Sequence, residues 1–240
     1  MDAAQVMRDL EAMGSAQNRK VYAQHGVRQP LFGVSYANLG KLTRRLRTNQ
    51  RLAEQLWATG NHDARVLATF VADPAAIKPS ALEKWARDLD NYVLTDALSG
   101  VAAHAPEALA RAEKWTKSRS EWIAAAGWNV CSAMAANAEL PDDAWFEAKI
   151  GEIEKGIGKA KNRVRHAMNQ ALITIGTRSD RLRRMAVAAA KRIGKVEVDH
   201  GDTGCKTPDA ATYIEKTVAY RKQKAADRKL KASDRSKKRR

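Results

Sequence analysis

The chain has 240 residues, 44% of them hydrophobic and 6% aromatic, with a formal net charge of +16. That hydrophobic share supports a packed core and excludes wholesale disorder. Two cysteines, Cys131 and Cys205, exclude a disulfide framework, and no run approaches the ~18 apolar residues of a membrane span.

Elements in chain order are helical almost throughout. Val6, Leu10 and Met13 recur at a 3–4 spacing and predict a helix over Ala3–Met13. A short helix around Asn18–His25 precedes a loop through Arg28, Pro30 and Gly33. Tyr36, Leu39, Leu42 and Leu46 mark the next helix, with Ser35 as N-cap. Another carries Leu52, Leu56 and Trp57 and closes at Gly60, and His62–Val71 follows, stopped by Asp73-Pro74. Ser80 and Glu83 have capping-box spacing for a helix running to Asp88. Helices over Asn91–His104 and Glu107–Thr116 come next. Ser118 and Glu121 repeat the capping-box spacing ahead of Trp122–Ala136. Pro141 suits the first turn of a helix ending near Lys155. The series closes with Arg163–Ile175 and Asp180–Ile193.

About a dozen helices without strand-like alternation predict an all-α fold, either a bundle or an α-solenoid. Helix pairs recur at roughly 35–45 residues, a spacing typical of HEAT-type repeats. The expected architecture is therefore a HEAT-like solenoid of antiparallel pairs over residues 1–195, curved, with a concave basic face. Residues 196–220 read as a loop and a C-terminal helix opened by Thr207-Pro208-Asp209. Residues 221–240 read as a basic, disordered or transiently helical tail.

The charge is unevenly placed. Residues 206–240 hold 13 Lys/Arg against 4 Asp/Glu, a net of +9, so +7 of the excess lies in the other 205 residues. An excess of this size repels itself unless an anion neutralises it. Two successive helix starts are basic: Lys159, Lys161, Arg163 and Arg165 before one, Arg178, Arg181 and Arg184 at the other. Cations beside positive helix ends are unfavourable unless an anion sits there, so these seven are expected to hold nucleic-acid phosphates; the competing reading is a solvated face.

Three segments, Asn91–Asp96 (NYVLTD), Ser118–Ile123 (SRSEWI) and Val164–Leu172 (VRHAMNQAL), resemble the DNA alkylation repair family, which includes HEAT-like alkylpurine DNA glycosylases. Tyr22–Gly26, Phe32–Ser35, Leu56-Trp57 and His62–Arg65 fit the same order, so the resemblance spans most of residues 20–195. It implies hydrolysis of the N-glycosidic bond of N3- or N7-alkylated purines. A carboxylate would stabilise the oxocarbenium ion, aromatic faces would hold the cationic base and basic residues the backbone. The family's catalytic Asp falls on Asp96, and its aromatic one turn earlier falls on Tyr92 where Trp is usual. A family Arg falls on Ala125 and a second Trp on Gln170.

Asp96 is thus the candidate catalytic residue, with Tyr92, Trp122, Trp128 and Gln170 as candidate substrate contacts. Their structural alternatives are a salt bridge for Asp96 and core packing for the aromatics. The implied function is DNA binding of the alkylation-repair type. The alternatives are a non-catalytic DNA- or RNA-binding module and a protein-interaction scaffold. The expected partner is duplex or branched DNA, held through phosphates by a monomer, with no membrane. No cofactor or metal is expected: Asp199, His200, Asp202 and Cys205 match no established zinc spacing. No Gly-rich phosphate loop, G-x-S-x-G elbow or H-E-x-x-H pair occurs. The opening MDAAQVMRDLEAMG lacks a signal peptide's apolar core, and the expected location is cytoplasmic, nucleoid-associated in a bacterium.

Overall fold

The computed structural model describes residues 1–28, 30–137 and 141–237, with side chains as far as 228. Among these residues it holds thirteen α-helices and no strand beyond one isolated bridge, Gly14 to Val34. The helices are α1 (Ala3–Met13), α2 (Ala16–Gln24), α3 (Tyr36–Leu46), α4 (Gln50–Ala58), α5 (His62–Val71), α6 (Pro79–Arg87), α7 (Tyr92–His104), α8 (Ala108–Trp115), α9 (Glu121–Ala135), α10 (Asp143–Gly156), α11 (Asn162–Gly176), α12 (Asp180–Ile193) and α13 (Ala210–Lys237). A 3-10 turn, Ile157–Lys159, joins α10 to α11.

Most starts are fixed by short polar side chains. Asp2, Ser15, Ser35, Asn49, Asn61, Asn91, Asp142 and Ser179 each accept the backbone N–H three residues on, satisfying one of the free donors of a first turn. Three expected starts differ. α6 begins at Pro79 after Lys78, because a first-turn proline needs no N–H partner, and Ser80 is already inside the helix. α9 follows Ser120, whose side chain makes no capping bond, and the Glu121 carboxylate reaches α11 instead. Pro141 precedes the Asp142 cap and lies outside the first turn of α10.

Two rows of helices share one core. In the first row α3, α5, α7, α9, α11 and α13 touch in succession. The second row is α4, α6, α8, α10 and α12, where α4 packs on α5, α8 on α9 and α12 on α11. The apolar faces meet between the rows, where Leu67, Leu98, Trp115, Ala126, Val130, Phe146, Leu172 and Ile175 are fully or almost fully buried.

The second row is latched polar group to polar group at a recurring interval. The indole N–H of Trp57 donates to Asp88 at 2.8 Å, that of Trp115 to Glu83 at 2.9 Å and that of Trp145 to Glu113 at 2.8 Å. The partners stand 31, 32 and 32 residues apart, so one kind of contact ties each repeat to the next. Between α10 and α12 the latches become ion pairs: Arg178 to Asp143 at 3.0 Å, and Arg181 to Glu147 and Arg192 to Glu154 at 2.6 Å.

After α12 the chain runs as a loop, stapled by α11, to α13. The Asn162 side chain donates to the Asp199 carbonyl (2.7 Å) and accepts from its N–H (2.8 Å). Arg165 donates to the Glu197 carbonyl (2.9 Å) and Asn169 to that of Pro208 (3.0 Å). Asp209 then accepts the Thr212 N–H, and Ile214 is buried against Gly176 and α12. α13 continues to Lys237. Of the segment read as a tail, residues 238–240 lie outside the described residues.

Candidate nucleic-acid interface

The first row brings α7, α9 and α11 side by side, and with them the residues singled out from sequence. Asn91 caps α7, its Oδ1 accepting the Leu94 N–H at 3.0 Å, and so fixes where the helix begins. Tyr92 and Asp96 follow four residues apart, on one face. Trp122 and Ala125 of α9 and Arg163 of α11 line the same cleft. So do His166, which the sequence places with the basic start of α11, and Asn129, which sequence reasoning passed over. The enclosed space is about 10 Å³, about room for one water and far too little for a purine.

Asp96 accepts a hydrogen bond from the Asn129 amide at 2.7 Å. It lines the cleft and its surface is exposed. Burial pushes its carboxyl up to about 6, against the opposing pull of the Arg163 charge and the Asn129 bond. Tyr36, at the start of α3, is half exposed, and its phenol is also raised, first by burial and then by the charges of Asp96 and Tyr92. It is held there from below. The buried Asp63 carboxylate accepts the N–H groups of Phe32, Gly33 and Val34 at 2.6, 2.9 and 2.9 Å, fixing the turn that leads into α3.

Arg163 changes the character of the cleft. Its guanidinium carbon lies 4.2 Å from the centroid of the Tyr92 ring, a close cation–π contact. Its Nε–H is buried without an acceptor, and among the described residues no carboxylate pairs with it. The far edge of Tyr92 is fixed by a hydrogen bond between its hydroxyl and Nδ1 of His25, the rings meeting edge-on at 5.7 Å. His166 stands edge-on to His200 of the loop at 5.5 Å. Burial, then the charge of Arg163 and His200, lowers the His166 pKa to about 4, so it is neutral at pH 7.

The other residues chosen from sequence lie elsewhere. Trp128 is core, 3% exposed, with Lys149 Nζ 5.9 Å from its ring. Gln170 is half-buried on α11 and does not line the cleft. Lys159 and Lys161 are exposed beside the start of α11, and Lys161 donates to the Arg119 carbonyl at 2.8 Å. Arg165 serves the loop. Arg178 and Arg181 are engaged with carboxylates of α10, and Arg184 lines the groove between α10 and α12. Among the described residues no group of three His, Cys, Asp or Glu side chains is placed to hold a metal. Ala125 leaves the α9 side of the cleft without a cation, and Arg163 lines it from α11. The sequence named Arg163 as basic, but only the packing of α11 and α7 on α9 shows which ring it covers.

Comparison with known proteins gives the same frame. A family model described as DNA alkylation repair enzyme matches residues 6–214. An uncharacterized protein of Listeria innocua is 33% identical over 215 residues, which cover 87% of this chain and 93% of that protein. A second, of Listeria monocytogenes, is 32% identical over the same shares. A solved structure superposes with a TM-score of 0.84 at 30% identity, covering 92% of this chain and 95% of the other. It is described as belonging to a new family of proteins related to the HEAT-like repeat DNA glycosylases with affinity for branched DNA structures.

Proposed function

We propose that this chain, which belongs to the DNA alkylation repair enzyme family and has its HEAT-like helical-repeat fold, is a monomeric DNA-binding protein that grips branched or duplex DNA through backbone phosphates in a concave basic face. The observation that carries this reading is the cleft itself, where Asp96, Tyr92, Trp122 and Arg163 converge on the first row of helices. Two further features support it. Asp96 and Tyr36 are open to water while surrounded by protein, as on the inside of a curve. A net charge of +16 supplies the attraction that dominates DNA affinity. The related solved structure, with its affinity for branched DNA, points to the same partner.

Excision of a base is the second reading, favoured by the carboxylate at 96. Above about pH 6 that carboxylate is ionised, the form that stabilises an oxocarbenium ion. Against it stand Ala125, Gln170 and a cleft with room for about one water. Base release from duplex DNA carrying N7-methylguanine and N3-methyladenine decides between them, with wild type beside Asp96→Asn. The expected result is tight, salt-sensitive binding by both proteins and no release by either. Release by the wild type that is lost in the variant would make this a working glycosylase.

A further inference from the structure

We infer that Arg163 makes the Asp96 cleft a charge filter, excluding cationic nucleotides from the face of Tyr92 and presenting a guanidinium to DNA instead. The inference rests on the DNA-binding reading and adds to it what the cleft selects. An aromatic ring attracts a cation over its face, and that face of Tyr92 is already taken, the Arg163 guanidinium lying 4.2 Å from the centroid. Guanidinium stays charged at every physiological pH and is weakly hydrated, so it leaves the ring reluctantly. Its field reaches Asp96, where it opposes the effect of burial on that carboxyl. A second cation approaching Asp96 at the mouth of the cleft, whose enclosed space holds about one water, would meet a like charge, an occupied ring and a carboxylate already partly screened. The position is held firmly from both sides. Asn91 and His25 fix Tyr92, and the Glu121 carboxylate accepts the backbone N–H of Arg163 at 2.7 Å, seating the first turn of α11.

The guanidinium also retains donors. Its terminal Nη groups make no hydrogen bond or ion pair among the described residues, whereas its Nε–H, also without an acceptor, is buried. A phosphodiester oxygen is the DNA group that such a planar donor suits best. The cleft that resembles a site for a cationic alkylated base is, by this arrangement, a site for an anion beside an aromatic wall.

The test uses two duplexes that differ only in one abasic nucleotide, a neutral tetrahydrofuran in one and a cationic pyrrolidine in the other. Affinities are measured at pH 7.5 for the full-length protein. Wild type is expected to bind the two with a ratio near unity. Arg163→Gln, and Arg163→Met as a second variant should the first fold poorly, is expected to favour the pyrrolidine by about tenfold. Adding Asp96→Asn to either variant should reduce the preference, leaving only the part due to the uncovered Tyr92 ring. A wild type that already favours the pyrrolidine tenfold overturns the filter, as does a folded Arg163 variant whose ratio is unchanged. Binding to unmodified DNA in the same titrations separates the two proposals. A wild type that binds DNA but prefers the cation defeats the filter alone, and one that binds no DNA defeats both.

Discussion

Asp96 sits where burial disfavours its charged form. Its carboxyl is raised to about 6 by burial, above an unfolded value near ~4. The folded chain therefore binds this proton more tightly than the unfolded chain does. Stability falls as pH rises from about 4 to 6, and the cost is fully present above that window. Asp96→Asn keeps a partner for the Asn129 amide without the charge. It should raise the melting temperature at pH 7 and lose that advantage at pH 4. The gain should be no more than about 1 kcal/mol, since the carboxylate is open to water. An equal shift at both pH values would show that the charge is not the cause. Lys149 is the opposite case. Fully buried, it donates to Glu152 at 3.0 Å and pairs with Glu113 at 2.9 Å, beside the rings of Trp128 and Trp145. Burial works against its charge, but the two carboxylates more than offset that and hold its pKa above the ordinary value. Lys149→Ala removes a fully buried stem and two ion pairs, while Glu113 keeps Trp145 and Lys117 and Glu152 is open to water, and denaturant unfolding should report a loss of about 2 kcal/mol.

Helices were the part most open to reading from the sequence. α1, α3, α5 and α12 begin and end where periodicity places them, and Asp2, Ser35, Asn61 and Ser179, of which only Ser35 was read as a cap, act locally on their own first turns. Ser80 and Ser118 misled for the same local reason: capping-box spacing says nothing of a competing proline or of a glutamate recruited by another helix. The indole latches were hidden, since Trp57, Trp115 and Trp145 look like ordinary core residues until the neighbouring carboxylate is seen. Half of the site was legible for a related reason. Tyr92 and Asp96 share a helix face, a relation fixed by spacing, whereas Arg163 and Asn129 reach them across helices. The packing of elements also marks a sensitive point. A Cβ on Gly127 would stand 2.7 Å from the Trp115 carbonyl carbon, which is backbone and cannot rotate away. Gly127→Ala should therefore force α8 from α9, costing about 2–3 kcal/mol by denaturant unfolding. A neutral result would show that the two helices are not packed this closely in solution.

At the scale of the whole molecule, charge and shape act together. Acidic side chains in the second row are largely spent on latches, as Glu83, Glu113, Glu147 and Glu154 show. The cations of residues 206–240 have few acidic neighbours in sequence. α13 begins packed, with Ile214 buried, and Arg221 donates to the Thr177 carbonyl at 3.2 Å where the strongly basic stretch begins. Ending the chain at residue 220 should leave the melting temperature nearly unchanged and make the salt dependence of DNA binding markedly shallower, because each phosphate neutralised adds about −0.9 to the log–log slope. An unchanged slope would place residues 221–240 off the DNA. The most direct test of the account is the affinity of the full-length protein for a labelled four-way junction and for a duplex of equal length, titrated from about 50 to 300 mM salt. A protein that grips branched DNA by its phosphates gives a steep negative slope for both and binds the junction more tightly throughout. Affinity that is weak and flat with salt would contradict it, because a protein that holds DNA by its phosphates must release counterions when it binds.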